Sequence, residues 1–165
     1  MPAPPVTIRE LKPGDAGWII YRHATLLAPE FGWNASFEAL CARILADFID
    51  HYQPAYERSW IVERDGAILG SLFLMRQDDA TAKLRLLYLE PQVRGMGLAH
   101  TLLEMAIAFA RSKHYRRLCL FTTSNLDAAR RLYASHGFSM VDDTLPAPFG
   151  EGVKGEEWVL ELASL

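Results

Sequence analysis

The stretch Leu87-Tyr88-Leu89-Glu90-Pro91-Gln92-Val93-Arg94-Gly95-Met96-Gly97-Leu98-Ala99 constrains this chain more than any other. An apolar strand stops at a proline, turns through a loop bearing two glycines and opens a helix. Apolar residues then recur at Leu98, Leu102, Leu103, Ala106, Ile107 and Ala110, on the ~3.6-residue helical period. In such a unit the free amides of the first helical turn and the positive helix end converge where a phosphate can sit. Glycine lets the main chain come close to that phosphate, because no Cβ intervenes. A phosphorylated cofactor is the expected ligand. The loop is not a P-loop, since no Gly-Lys-Ser/Thr follows the last glycine. It is a poor dinucleotide fingerprint too, because Gln92 holds the first glycine position.

The chain has 165 residues, half of them hydrophobic, so one domain with a substantial core is expected over 1–165. A formal charge of −3 argues against a broad polyanion-binding surface, and no nucleic-acid partner is expected. Cys41 and Cys119 are the two cysteines, both inside apolar periodic segments, which suggests buried thiols in a reducing compartment. No apolar run approaches the ~20 residues of a membrane span. Residues 1–5 lack the parts of a secretory signal and are expected to be a flexible terminus. A soluble cytoplasmic protein without membrane contact is the simplest reading.

Periodicity and turn chemistry predict the element order. A short strand covers 6–9, and Asp15 is a candidate cap for a helix over 16–27 that ends near Pro29. Residues 30–34 read as a loop, and Ser36 caps a second helix to about 51. Strands at 59–63 and 67–74 join through Asp65-Gly66, a strong hairpin signal. A third antiparallel strand covers 82–89, and after the loop and its helix a strand covers 117–122. A helix starting at Ser124 or Asn125 ends before Gly137, and strands at 138–141 and 156–162 follow. Hairpins with helices packed on them imply a mixed α/β (α+β) sheet, mostly antiparallel. The strand-helix-strand unit from 82 to 122 should be a right-handed parallel crossover.

A second segment, Asn125…Ala129…Leu132-Tyr133…Gly137-Phe138, stands downstream of the glycine loop. Together the two closely resemble the GNAT superfamily of N-acetyltransferases. Gln92-x-x-Gly95-x-Gly97 matches the family's pyrophosphate pattern at all three defined positions. The resemblance implies acetyl-coenzyme A as cofactor and a splayed parallel strand pair around its pantetheine arm. It implies backbone contacts near Leu87 and Leu89, cofactor binding by Gln92 at the first position of the pyrophosphate pattern, and a pyrophosphate cradle of amides from Val93, Arg94, Gly95, Met96, Gly97, Leu98 and Ala99. Asn125 matches the position that touches the pantetheine arm, and Tyr133 the usual general acid. Arg130, with Arg131, is a candidate for the 3′-phosphate. Residues 14–18, Arg22-His23 and 30–33 are similar to acetyltransferase domains found behind MarR-type DNA-binding domains in bacteria. This chain looks like a stand-alone version.

The chemistry suits those residues. An amine attacks a thioester carbonyl, a backbone amide near Leu89 stabilises the oxyanion, and a phenol protonates the leaving thiolate. A free alkylamine has a pKa of about 10, so a base or water must first deprotonate it. Glu57, Glu63 and Glu90 are carboxylate candidates, but Glu30, in an aromatic loop, is the most suggestive base or acceptor-binding group. Trp18, Phe31 and Trp33 either pack a core or wall an acceptor pocket. Neither cysteine sits in an activated-nucleophile context, so direct transfer in a ternary complex is expected. Asp142-Asp143 lacks ligand spacing, and no metal is expected. The acceptor is a primary amine, small molecule or peptide. A homodimer through the later strands is possible, with Trp158 and Val159 either at its interface or in the core. The alternative class is a non-catalytic acyl-coenzyme A sensor or interaction module, and a second alternative is an enzyme for longer acyl chains.

Overall fold

The computed structural model describes residues 5–162. Residues 1–4, most of the segment expected to be flexible, lie outside the described residues. Strand β1 (Thr7–Arg9) precedes α1 (Asp15–Arg22), a π-turn (His23–Leu27), α2 (Ala28–Phe31) and α3 (Ala35–Asp50). Strands β2 (Arg58–Arg64), β3 (Ala67–Arg76) and β4 (Thr81–Leu89) follow as a meander. A 3₁₀ turn (Pro91–Val93) leads to α4 (Leu98–Ser112), β5 (Arg117–Thr123), α5 (Asp127–Ser135), β6 (Ser139–Leu145) and β7 (Gly155–Glu161).

The strands form one seven-stranded sheet in the order β1-β2-β3-β4-β5-β7-β6. Only β4 and β5 run parallel, so the sheet is the mixed, mostly antiparallel one expected. Alternation along the strands sends side chains to two helical layers. Leu72, Leu74, Leu84, Leu118 and Leu120 pack with Leu102, Leu103 and Ala106 of α4 and Tyr133 of α5. Ile61, Phe73 and Tyr88 face the other way, onto Ile19 of α1 and Leu45 and Phe48 of α3. The Asp65-Gly66 turn has φ of 52° and 79°, the left-handed pair a tight hairpin needs. Trp158 is core, because β7 lies inside the sheet and β6 forms the edge. Cys41 and Cys119 are buried free thiols. Among the described residues no helix is long and apolar enough to cross a membrane.

Three local expectations are corrected. Pro29 does not end the first helix. The Ala28 amide donates to the His23 carbonyl five residues back, and this wider turn precedes the proline, which cannot donate and would crowd a normal turn. The helix therefore continues through Glu30 and Phe31 and stops at Gly32, whose φ is 73°. The next helix is capped by Asn34, whose Oδ1 accepts from the Ser36 amide at 2.9 Å, and not by Ser36 itself. Asp15 is not a cap to its helix either. Its buried carboxylate accepts from Arg9 at 2.7 and 3.1 Å and from the Lys12 amide at 2.8 Å.

Candidate active site

The site begins with a fault in β4. Ser71 pairs with Tyr88 but Phe73 pairs with Arg85, so Leu86 and Leu87 together oppose one residue of β3. Leu86 has a φ of 55°, a left-handed conformation that costs a leucine roughly 1–2 kcal/mol. The Ser71 hydroxyl holds it by donating to the Leu86 carbonyl at 2.7 Å. Such a bulge bends its strand. β4 and β5 stay in register only over residues 81–84 and 117–120, while the rest of β5 remains paired with β7. The two parallel strands splay, and a cavity of about 530 Å³ fills the opening.

The backbone lining this gap is polar and available. The Glu90 amide donates to the Leu69 carbonyl at 2.8 Å. By antiparallel alternation Leu89 therefore turns its own amide and carbonyl away from β3, into the gap. The carbonyl accepts from Arg94 Nε at 3.0 Å, which leaves the Leu89 amide facing the opening. Leu87 and Leu89 both line the cavity.

The glycine loop is smaller as a cradle than the sequence suggests. The Val93 and Arg94 amides close the 3₁₀ turn onto the carbonyls of Glu90 and Pro91. Val93 buries its side chain in the core, and Gln92 and Met96 point their exposed side chains outside the cavity wall. The available amides run from Gly95 onward, since the Thr101 amide is the first to bond back, to the Gly97 carbonyl at 3.0 Å. Gly95 and Gly97 have φ of 77° and 78°, and a Cβ at either would meet nothing within 4 Å. Their requirement is conformational, and the face they present is open. Gly95, Gly97, Leu98, Ala99 and His100 line the cavity. His100, which no sequence motif singles out, shares a 2.9 Å contact between its Nδ1 and Nε2 of His136.

On α5, Tyr133 lines the cavity from a buried position, its ring beside Phe138 and Trp158. Burial alone raises its pKa to about 12, so its proton stays on at any ordinary pH. Asn125 lies in the turn before α5, outside the cavity wall, and its Oδ1 accepts from the Thr123 hydroxyl at 2.6 Å. Arg130 does not reach towards a cofactor phosphate. Its Nε donates at 3.0 Å to Glu156, a buried carboxylate that also accepts from Trp158 Nε1, so it satisfies a charge within the fold.

The opposite wall is aromatic. Trp33, Phe37 and Phe149 pack with ring centroids 4.4–5.3 Å apart. The Asn34 amide donates to the Phe149 carbonyl at 2.8 Å, tying the α2–α3 connection to the loop between β6 and β7. Trp33 and Phe31 thus belong to the cavity wall, while Trp18 is exposed on α1. His23, at the π-turn, is buried, and its Nδ1 is bonded to the Ile19 carbonyl at 2.8 Å. Burial lowers its pKa to about 4, so it stands neutral in the wall. Glu30 is placed at the cavity, but both its oxygens are held by Arg94, at 2.8 and 3.1 Å. Glu90 is likewise held, by Arg22 at 2.7 and 2.8 Å.

The Acetyltransferase (GNAT) family model matches residues 20–138. An N-acetylaspartate synthetase from Danio rerio is 33% identical over 102 residues, which are 61% of this chain and 36% of that protein. The N-acetyltransferase YjgM of Escherichia coli, itself uncharacterised, is 35% identical over 89 residues, 52% of this chain and 53% of that one. The chain thus spans between about a third and about half the length of these relatives. Among solved structures, yncA from Salmonella typhimurium with its cofactor acetyl-CoA superposes with a TM-score of 0.73, at 24% identity over 98% of this chain and 96% of that one. A spermidine N-acetyltransferase from Vibrio cholerae with CoA and spermine gives 0.72, at 18% identity over 94% and 95%. These structures share the fold. With the family model covering both the splayed strand and the glycine loop, the chain belongs to the GNAT acetyltransferase family.

Proposed function

We propose that this protein is an acetyl-CoA-dependent N-acetyltransferase that acts on a primary amine by direct transfer. The observation that carries this reading is the junction of the splayed β4–β5 gap with the glycine loop. One lined cavity joins a run of orphan amides, an inward Leu89 amide and a buried phenol. The residues fit the cofactor: a cradle from Gly95 to His100 for the pyrophosphate, and the Leu87–Leu89 edge for the pantetheine arm. Bound acetyl-CoA would supply a thioester whose C–S bond breaks as the amine nitrogen bonds to its carbonyl carbon. The Leu89 amide stabilises negative charge on the carbonyl oxygen, because it is fixed before the reaction and costs no reorganisation. Tyr133 gives its phenolic proton to the departing sulfur. The proton that the amine loses goes to water, since both oxygens of Glu30 are engaged by Arg94.

Glu30 acts at one remove in this reading, by locking Arg94 across the mouth of the gap. The Arg94 Nε bond to Leu89 in turn fixes the strand edge that carries the amide. Isothermal titration with acetyl-CoA and CoA, followed by thiol release with a panel of amines, tests the proposal. Micromolar cofactor binding with amine-dependent thiol release is expected. A folded protein that binds neither acetyl-CoA nor CoA would refute it.

A further inference from the structure

The half of the cavity that faces α3 carries a charge the proposed chemistry leaves unused. Arg85 lines it, half-buried, and among the described residues no carboxylate lies within ion-pair distance of its guanidinium. The bulge puts it there. Phe73 and Ser71, two residues apart on β3, point to one face, and they pair with Arg85 and Tyr88. The extra residue in β4 therefore brings Arg85 and Tyr88, three apart, to the same face of the sheet. The Tyr88 hydroxyl is buried, makes no hydrogen bond, and belongs to a residue of the same cavity wall. Burial also opposes the Arg85 charge, and the more distant Asp47 on α3 offsets this in part.

Among the described residues the cavity is lined by two acidic side chains. Glu30 is saturated by Arg94, and Asp127 stands on α5, across the sheet from Arg85. A polycationic acceptor finds no free carboxylate on the α3 side, whereas an anion finds an unpaired guanidinium. The rings of Trp33, Phe37 and Phe149 line the same cavity. Arg85 and Leu89 pair with Phe73 and Gly70, three residues apart on β3, so at ~3.3 Å per strand residue about 10 Å separates them across the bulge. The long arginine side chain covers part of that span, and a short bifunctional acceptor the rest.

We propose that the acceptor is an amine that also carries a carboxylate, an α-amino acid with an apolar or aromatic side chain, bound through its carboxylate to Arg85 and through its side chain to the Trp33–Phe37–Phe149 wall. This rests on the acetyltransferase reading and adds the substrate class. The amino group would then be the nucleophile, and the charge-assisted pair with Arg85 orients it. A carboxylate-guanidinium contact in a half-buried site is among the stronger polar contacts available to a ligand.

The test compares L-phenylalanine, L-leucine, L-phenylalaninamide, phenethylamine and spermidine. Affinity for the CoA-loaded protein is measured by titration calorimetry, and acetylation by thiol release. The two free amino acids are expected to bind and react about ten- to a hundredfold better than the amide, the amine or the polyamine. Arg85→Gln should abolish that preference by raising KM for the amino acids alone, and Arg85→Lys should restore part of it. Equal use of phenylalanine and phenethylamine overturns the proposal while leaving the acetyltransferase reading intact. So does a CoA-loaded protein that binds neither free amino acid. Failure to bind acetyl-CoA at all removes the acetyltransferase reading itself, and the two failures are separate measurements.

Discussion

Replacing Tyr133 with phenylalanine isolates one proton. The phenol ring sits between Phe138 and Trp158, with centroids 5.9 and 6.5 Å away, and phenylalanine keeps that packing. Burial is the sole cause of its raised pKa, so its hydroxyl has no protein partner whose loss would unsettle the fold. Stability should therefore change by less than about 1 kcal/mol. Cofactor affinity should hold within about threefold, because the amides from Gly95 onward and the Leu89 edge are untouched. If the hydroxyl protonates the leaving thiolate, kcat should fall about 10²- to 10⁴-fold, or roughly 3–5 kcal/mol of barrier. The pH profile adds a second constraint. With a pKa near 12, about one molecule in a thousand has lost the proton at pH 9, so Tyr133 gives no alkaline limb below that pH. Thiol release at saturating amine, calorimetry and a denaturant titration read the three quantities. A variant with kcat within threefold of the parent would mean the proton comes from elsewhere. A variant that loses cofactor affinity and turnover in step would mean that the hydroxyl serves binding, as in a sensor.

Further perturbations probe the parts that hold this geometry. Gly95→Val with Gly97→Val forces β-branched side chains into φ near 77°, which should weaken CoA binding at least tenfold by calorimetry and, at roughly 1–2 kcal/mol of backbone strain per site, also lower the melting temperature even though the space around both is open. Gly70→Ala should be destabilising by about 1–3 kcal/mol, because a Cβ there lies 2.7 Å from the Tyr88 carbonyl and 2.6 Å from Leu89 Cδ2; an unchanged urea midpoint would contradict the close packing behind the bulge. His23 has a folded pKa near 4, below the ~6.5 of an unfolded histidine, so the unfolded chain binds more protons between those values. Its contribution is complete above pH ~6.5 and fades as pH falls towards 4, costing about 2 kcal/mol between pH 7 and 5. Urea titrations at those two pH values should show that loss in the parent and a smaller one in His23→Gln.

Much of this was legible in the residues, and the misses have physical causes. The Asp-Gly hairpin, the period of α4 and the strand-loop-helix with two glycines each rest on local chemistry that tertiary packing rarely overrides, and all are present. The bulge at Leu86 carries no local signal. A leucine with positive φ goes against its own propensity, and it is held by Ser71 from another strand. Pro29 misled for a related reason: the π-turn that accommodates it opens at His23, which is held by the Ile19 carbonyl and packed against Phe37 of α3, and closes on the ordinary amide of Ala28, so no distinctive residue beside the proline announces it. Arg130 has the composition of a phosphate ligand, but its partner Glu156 lies 26 residues away. Charged side chains find partners through topology, which spacing along the chain does not encode.

That dependence on topology explains why Glu30, Arg94 and Leu89 are best understood together. A free Glu30 would be a base for the amine, and a free Arg94 would add charge to the cradle. Paired at 2.8 and 3.1 Å they do neither. The pair joins α2, on the acceptor side, to the loop that leads into the cofactor cradle, and through Arg94 Nε to the carbonyl of the strand edge. It is partly exposed, so its net stabilisation is small, of the order of 1 kcal/mol or less. Its value lies in position: Leu89 has no β-sheet partner on the β5 side, and without the guanidinium its edge would be free to move. An amide that stabilises developing charge must be fixed before the charge appears. Glu30→Gln should therefore leave CoA affinity nearly unchanged and lower kcat modestly, with no shift in the pH profile. A Glu30 that served as the base would instead displace the acidic limb of that profile when removed.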